Sequence, residues 1–524
     1  VVDQFDILFF HVSLALFDIF VLLAISHMLR HQRSPTSTIA WMVFFIMVPY
    51  VGVPLYLMLG GRKAKKKSLD KEDLSLREAH LVVPVEHSRI DQMLRAVGIP
   101  GASLHNHVHF LTDPVQGFHG LLEVIDSAEH ELNVATFIFG HDFVGERILE
   151  KMTEKAKGGV EVRLMVDAFG SLKTPVRFFH PFLEAGGKIA WFSPMLHLPF
   201  RRRANLRNHR KIAIADDRLA MVGGMNIHKE AICSEHLDLC WKDLSLLIEG
   251  PETSGLAQIF RSDWEFACGE VLNPLSSRRG NEEKDGSSTC DSGFVSRTKA
   301  SADLFCSSDP ERRSEVAEEK EPQSYGPRER ASRREVMSFL DSQKAWRAVA
   351  QTVPSGPDVQ GDPLYEALLT SIFDARERFW LVTPYFVPDE PLVQAMRIAC
   401  RRGVDVRVIV PRRSNHFLAD IARRSFVREI HREGGAVLYY EPGMLHAKAF
   451  LMDRHLAVVG SANVDMRSLF LNYEVMLFFY SEGEIQRLSD WFLEISEASE
   501  AGEVRDGFVT ETIEGLTRMV SPML

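Results

Sequence analysis

The sequence is short of the features that mark several large protein classes. Its six cysteines, Cys233, Cys240, Cys268, Cys290, Cys306 and Cys400, include no C-x-x-C pair and are sparse for 524 residues. They offer neither the ligand spacing of a zinc module nor a disulfide framework, and they fit a reducing compartment. Positive charge is also short: 61 Lys and Arg stand against 71 Asp and Glu, a formal net charge of −10. Domains that coat nucleic acid are usually basic, and no basic tract with interleaved aromatics occurs, so nucleic acid is not an expected partner. From Asn273 to Ser338 large apolar residues are scarce, while Ser, Glu, Arg, Lys, Asp and Pro abound. Such a stretch buries too little surface to offset its ordering entropy. Residues 271–345 are therefore expected to be a charged, disordered linker between two halves, 100–270 and 346–524.

What is present begins at the N-terminus. Ile7 to Met28 and Thr38 to Leu59 are apolar runs, each long enough to cross a bilayer as a helix. The first contains His11 and Asp18, which are costly at the bilayer centre; the second contains Pro49, Gly52 and Pro54, which kink a membrane helix without forbidding it. Arg62, Lys63, Lys65, Lys66 and Lys67 follow the second run, whereas the short loop between the runs holds Arg30 and Arg33. By the positive-inside rule the Lys-rich flank is cytoplasmic. Residues 1–68 are thus expected to form a transmembrane helical hairpin with a basic flank. The expected location is then the inner (cytoplasmic) membrane, as a multi-pass protein with the rest of the chain on the cytoplasmic side.

The two halves are an internal repeat. In each, an amphipathic segment leads through glycine into a β-branched run: Phe143 to Lys157, Gly158-Gly159 and Val160 to Asp167, then Pro391 to Arg402, Gly403 and Val404 to Pro411. That succession reads as a βαβ element feeding a mostly parallel sheet. The decisive segments are N-H-R-K-I-A-I-A-D-D-R-L-A-M-V-G-G-M-N (Asn208 to Asn226) and L-H-A-K-A-F-L-M-D-R-H-L-A-V-V-G-S-A-N (Leu445 to Asn463). Histidine, lysine, aspartate, a Gly-Gly or Gly-Ser pair and asparagine recur at equal offsets: 209, 211, 216, 223–224 and 226 against 446, 448, 453, 460–461 and 463. Chance agreement at that many polar positions is negligible.

These offsets suit one kind of chemistry. His209 and Lys211 are two apart on a strand and share a face, as do His446 and Lys448. Brought together, two imidazoles and two ammonium groups suit a phosphodiester. The lysines, with Asn226 and Asn463 as neutral donors, stabilise charge on the non-bridging oxygens. One imidazole attacks phosphorus while the other protonates the leaving alkoxide and later deprotonates the acceptor hydroxyl. The lysines supply the positive charge that Mg²⁺ provides in other phosphoryl-transfer sites, so neither a metal nor another cofactor is expected. Asp216 and Asp453 stand where the strand turns, and the residues alone leave a structural and a catalytic role both open.

The paired H-x-K-x(4)-D segments resemble the motifs of the phospholipase D superfamily. The wider pattern is similar to its bacterial cardiolipin synthase branch: R-S-P-T-S-T-I-A-W (Arg33 to Trp41), V-T-P-Y-F-V-P-D-E (Val382 to Glu390), P-G-M-L-H-A-K (Pro442 to Lys448) and N-V-D-M-R-S-L-F-L-N-Y-E (Asn463 to Glu474). The resemblance implies an α/β fold of two duplicated mixed-sheet phospholipase D-like domains in one pseudo-two-fold unit, preceded by the membrane hairpin. It implies transfer of a phosphatidyl group from one phosphatidylglycerol to another through a phosphatidyl-histidine. It places Asp216 and Asp453 with the histidines and lysines as catalytic. His209 would be the nucleophile and His446 the general acid and base; Lys211, Lys448, Asn226 and Asn463 would bind phosphate. Asp243 and Glu474 would each hydrogen-bond the far nitrogen of a histidine. A hydrolytic phospholipase D and a nuclease of the same superfamily would carry the same motifs. Gly224 stands where the second half has Ser461, and the charged linker is foreign to the pattern.

Three other clusters are weaker signals. H-N-H-V-H (His105 to His109) has the period of a strand face and lacks acidic or cysteine partners, so a solvated face is expected rather than a metal site. Arg201, Arg202 and Arg203 suit either a solvated loop or lipid phosphates, and Leu198, Pro199 and Phe200 beside them suggest a membrane-inserted lip.

Overall fold

The computed structural model describes residues 88–193, 206–232, 240–274, 327–340 and 347–502, with short pieces between 19 and 52 and between 71 and 85. The first half contributes β1 (Ser103–Leu111), β2 (Glu131–Thr136), β3 (Glu161–Asp167), β4 (Lys188–Phe192), β5 (Ile212–Ala215), β6 (Leu219–Gly223) and β7 (Ser245–Glu249). The second contributes β8 (Ala348–Ser355), β9 (Arg378–Val382), β10 (Phe386–Val387), β11 (Asp405–Pro411), β12 (Ala436–Tyr440), β13 (Ala449–Met452), β14 (Leu456–Gly460), β15 (Val464–Asp465), β16 (Glu474–Phe479) and β17 (Ser499–Ala501).

Local sequence explains the repeated helix-to-strand units. The helix Phe143–Lys157 starts at Asp142, whose carboxylate accepts from the Val144 and Gly145 N–H groups, and buries Val144, Ile148, Leu149 and Met152 on one face. It ends at Gly158-Gly159, where Gly159 has φ +90°, a value glycine adopts without steric cost. Its counterpart, Glu390–Arg401, is capped by Asp389 on the Leu392 N–H, buries Leu392, Val393, Met396 and Ala399, and is followed by Gly403 at φ +82°.

Among the described residues, fifteen strands form one sheet in the order β17-β12-β11-β9-β13-β14-β16-β8-β1-β7-β6-β5-β2-β3-β4. Read outward from the central β1–β8 pair, the halves repeat one order: β1-β7-β6-β5-β2-β3-β4 and β8-β16-β14-β13-β9-β11-β12. The central pair is antiparallel, as a two-fold axis through the junction requires. Among the described residues of this sheet, β2-β3-β4 and β9-β11-β12 are parallel and the other pairings antiparallel; β10 and β15 form a separate parallel pair. The expectation of a mostly parallel sheet is corrected to a mixed one. Asp216 to Arg218 and Asp453 to His455 are too short for a crossover, so β5–β6 and β13–β14 must be hairpins.

The core explains why the halves act as one body. On one face Val108, Leu246 and Trp264 pack with Trp380, Leu477 and Trp491 in a layer drawn from both halves. On the other face each half keeps its own core, around Leu132, Ile148 and Phe182 and around Leu381, Met396 and Phe426.

Two expectations are revised here. Part of the expected disordered linker is ordered, since Pro327–Leu340 is a helix on the helix Pro114–Ser127. Val336 and Phe339, three apart and so on one helical face, are buried, and Gln116 Nε2 donates to Glu335 Oε2 at 2.8 Å. The Phe339 ring stacks on His107 and His109, with centroids 4.0 and 5.3 Å apart. The His105–His109 face is therefore covered rather than solvated at His107 and His109; His105 remains exposed. Residues 275–326, Leu198 to Phe200 and Arg201 to Arg203 lie outside the described residues. So does much of the expected hairpin. Among the described residues no helix is long and apolar enough to cross a membrane. The described helix there, Pro35–Met47, sets Trp41 and Phe45 against Val21 and Ile25. Cys240 is disulfide-bonded, so not all six cysteines are unpaired thiols.

Candidate active site

Register places the two histidines. β5 runs antiparallel to β2 with Ile212 opposite Ala135, and β13 antiparallel to β9 with Ala449 opposite Val382. His209 and His446, three residues before those strands, therefore lie beyond the C-terminal ends of the parallel strands, where ligand crevices form in open α/β sheets. Two short parallel bridges then tie the halves together, Asn208 to Tyr473 and Lys242 to Leu445. The His209 N–H donates to the Tyr473 carbonyl at 2.9 Å, and the His446 N–H to the Lys242 carbonyl at 2.7 Å. The next residue after each acceptor is a carboxylate, Glu474 or Asp243.

The bridges give each histidine a carboxylate from the opposite half. Glu474 Oε1 and Oε2 lie 3.0 and 3.1 Å from His209 Nδ1, and Asp243 Oδ2 lies 2.6 Å from His446 Nδ1. Burial pushes both carboxyls up, yet Lys448 and the hydrogen-bonded His446 at Asp243, and the hydrogen-bonded His209 with Lys211 at Glu474, outweigh it and hold both below their usual values. An ionised carboxylate only accepts, so each Nδ1 carries its hydrogen and each Nε2 is left for chemistry. Lys448 Nζ also lies 2.7 Å from His446 Nδ1. One tautomer cannot serve both neighbours. Asp243 decides it, because the ammonium also has the His446 carbonyl.

The cations are buried with the histidines. Lys211 Nζ donates to the His209 carbonyl at 2.7 Å and sits 5.6 Å from the Phe137 ring centre. Burial, then Lys448, push the His446 imidazole down to about 3, and burial also lowers His209. Lys448 is pushed down to about 8 by burial, and Lys211 lies well below the ordinary lysine value. His209 and Lys211 both feel Lys448, and His446 feels Lys211, which places all four in one electrostatic neighbourhood. Phe137 stands edge-on to His209 at 5.1 Å, while Trp241 and Tyr385 approach His446 at 4.8 and 6.5 Å. Asn226 accepts the Ile138 N–H at 3.2 Å through its oxygen, and Asn463 hydrogen-bonds Asp465.

Asp216 and Asp453 are not part of this cleft, which corrects their expected catalytic role. Strands rise about 3.3 Å per residue, so each lies roughly 16 Å along its strand from Lys211 or Lys448. Both adopt left-handed φ, +53° and +50°. The Asp216 carboxylate accepts the N–H groups of Glu129, His130 and Glu131, each at 2.8 Å. Asp453 accepts those of Arg376 at 3.0 Å and of Glu377 and Arg378 at 2.8 Å. These carboxylates pin the hairpin turns to the N-terminal ends of β2 and β9, at the opposite edge of the sheet.

Sequence reading missed a charged cluster behind His209. Arg210, fully buried, donates through Nη1 to the two carboxylate oxygens of Asp263 at 2.7 and 2.8 Å and through Nε to the Glu474 carbonyl at 3.0 Å. Lys71 joins it with ion pairs to Asp263 and, at 2.7 Å, to Asp358. The available signal was Arg210 itself, since its repeat partner is Ala447. The other break in the repeat also has a cause. A Cβ on Gly224 would sit 2.1 Å from Asp243 Oδ1, whereas Ser461 Oγ donates to Glu474 Oε2 at 2.5 Å and accepts the Val475 N–H at 3.0 Å. The shorter aspartate needs the space that a side chain at 224 would fill.

The family described as "Cardiolipin synthase, PLD-like domain" matches residues 121–264 and 368–496, and "Phospholipase_D-nuclease N-terminal" matches residues 19–61. A cardiolipin synthase of Geobacillus thermodenitrificans is 30% identical over 514 residues, covering 94% of this chain and 90% of the relative. A probable cardiolipin synthase of Bacillus subtilis is 28% identical over 523 residues, covering 96% and 92%. Among solved structures, the phosphatidylserine synthase of Haemophilus influenzae superposes with a TM-score of 0.56 at 13% identity, covering 83% of this chain and all of that one, a likeness of fold. The family matches both halves of the repeat and the relatives nearly the whole length: the chain belongs to the cardiolipin synthase family of phospholipase D-like proteins.

Proposed function

We propose that the protein is a cardiolipin synthase that joins two phosphatidylglycerols through a phosphatidyl-histidine and releases glycerol. The observation that carries the chemistry is the crossed pairing, His209 with Glu474 and His446 with Asp243, in one lysine-lined cleft. His209 Nε2 attacks phosphorus, and the bond to the head-group glycerol breaks as that oxygen takes a proton from His446. Burial holds His446 neutral, and a phosphodiester bound beside it, being an adjacent negative charge, raises its pKa toward the protonated form this step needs. The neutral His446 then takes the proton of a second phosphatidylglycerol's hydroxyl. That oxygen attacks phosphorus, and the bond to His209 breaks. Lys211 and Lys448, with Asn226 and Asn463, neutralise the phosphoryl oxygens throughout. The lipid choice rests on family membership. In this reading residues 1–68 are a membrane hairpin, and the catalytic halves lie on the cytoplasmic face.

Purified full-length protein in detergent, given phosphatidylglycerol, is expected to yield cardiolipin and an equal amount of glycerol. Rapid quench into alkaline denaturant, which spares the acid-labile N–P bond, followed by peptide mass spectrometry should find the phosphatidyl adduct on His209. An adduct on His446 would reverse the two roles. Phosphatidic acid as sole lipid product would mark a hydrolase, and cleavage of single-stranded DNA without lipid turnover would overturn the lipid reading.

A further inference from the structure

Two exposed apolar loops flank the cleft at equivalent places in the repeat. One follows β3 and carries Phe169, Leu172 and Val176, which are 54%, 61% and 52% exposed. The other follows β11 and carries Phe417 and Leu418, 75% and 56% exposed. β3 and β11 run parallel to β2 and β9, so both loops leave the sheet at the edge that carries the histidines. Side chains link each loop to its histidine. The Arg207 guanidinium lies 5.3 Å from the Phe169 ring centre and 3.5 Å from Asp167, which accepts the Asn208 N–H next to His209. On the other side Tyr385 bridges His446 and His416, the residue before Phe417, at 6.5 and 5.1 Å.

Charge at these loops runs against the acidic balance of the chain, and the carboxylates at their bases, Asp167 and Asp420, are taken up by the N–H groups of Phe169, Gly170 and Ser414. The chain has ten more acidic than basic residues, yet neither 168–183 nor 412–419 contains an acidic residue. Lys173, Arg177 and Arg413 are exposed beside the apolar side chains. Aromatic and aliphatic groups interleaved with cations are complementary to an anionic bilayer surface, where apolar groups leave water and cations meet phosphates. A monomeric protein has little reason to expose five large apolar side chains on two symmetric rims of one cleft.

We propose that the two loops are paired lips that dip into an anionic phospholipid bilayer and seat the mouth of the cleft on it, so that a lipid enters without crossing water. The proposal rests on the lipid-substrate reading above. Phe373 is the internal control: it is 50% exposed but ends the helix before β9, at the opposite edge of the sheet.

The test reconstitutes full-length protein into phosphatidylglycerol vesicles with ordinary or brominated acyl chains. Phe417→Trp and Phe169→Trp are expected to add fluorescence that bromine quenches, while Phe373→Trp adds fluorescence that it does not. The double variant Phe169→Ala/Phe417→Ala should raise KM for vesicle lipid about tenfold or more with kcat unchanged, and leave turnover of a short-chain, monomeric phosphatidylglycerol as it was. Equal quenching at all three positions, or none at 417 and 169, would overturn the lips. So would a loss that is equal on vesicle and monomeric substrate. Quenching without cardiolipin formation would instead remove the proposed reaction and leave the lips standing.

Discussion

At the residue scale the chemistry depends on how burial and charge are balanced around two imidazoles. Burial holds His209 and His446 neutral, the latter down to about 3, and brings Lys448 down to about 8. A histidine whose folded pKa lies below its unfolded value of about 6.5 contributes stability above that value and loses it as pH falls toward the folded pKa. The depressed carboxyls of Asp243 and Glu474 also favour the fold at higher pH and lose that contribution under acid. The melting temperature is therefore expected to fall as pH drops below about 6.5. Activity on the alkaline side should decline near pH 8, where the Lys448 ammonium deprotonates. A pH profile of kcat/KM beside calorimetric melts checks both, and a rate still rising through pH 9 would contradict the lysine's role. The histidines, lysines and asparagines were legible because the repeat places them at equal offsets. Asp216 and Asp453 share the same offsets for a different reason: equal spacing marks what a duplicated fold reuses, and a hairpin turn is reused as faithfully as a nucleophile.

At the scale of elements the charged connection shows where composition is a poor guide. Its paucity of apolar residues is real, but Val336 and Phe339 are both buried in the helix Pro327–Leu340. Two buried side chains and a stack on His107 are enough to hold a short helix to an existing surface, although they would not support it alone. Removing a buried phenylalanine commonly costs about 3–5 kcal/mol, more than such a docked helix can lose. Phe339→Ala is expected to speed amide exchange across 327–340 while cardiolipin formation stays within about twofold. A matching loss of activity would tie this helix to catalysis.

At the scale of the whole molecule, the halves are joined by the β1–β8 pair, a shared core layer and the two bridges that deliver Asp243 and Glu474. The stretch after the N-terminal apolar runs is stitched in as well, through Lys71. Lys71 and Arg210 balance Asp263 and Asp358 in a buried group next to the Glu474 backbone, so losing one cation leaves an uncompensated carboxylate, typically worth about 3–5 kcal/mol. Lys71→Met should lower both the melting temperature and kcat, and Asp358→Asn in the same chain should recover most of each by restoring neutrality. Calorimetry and initial rates check this; a double variant no better than the single one would show that charge balance is not the reason.

The sequence by itself determined the duplication, the paired candidate residues for phosphodiester chemistry and the place of the apolar runs, because these are written in spacing and local composition. Only the tertiary structure decided which carboxylate serves which histidine, that Asp216 and Asp453 hold turns, and that Lys71, Arg210 and the two apolar loops gather around the cleft. Those facts depend on strand register between segments far apart in the chain. A register is set by the packing of both halves at once and leaves no mark in either half read alone.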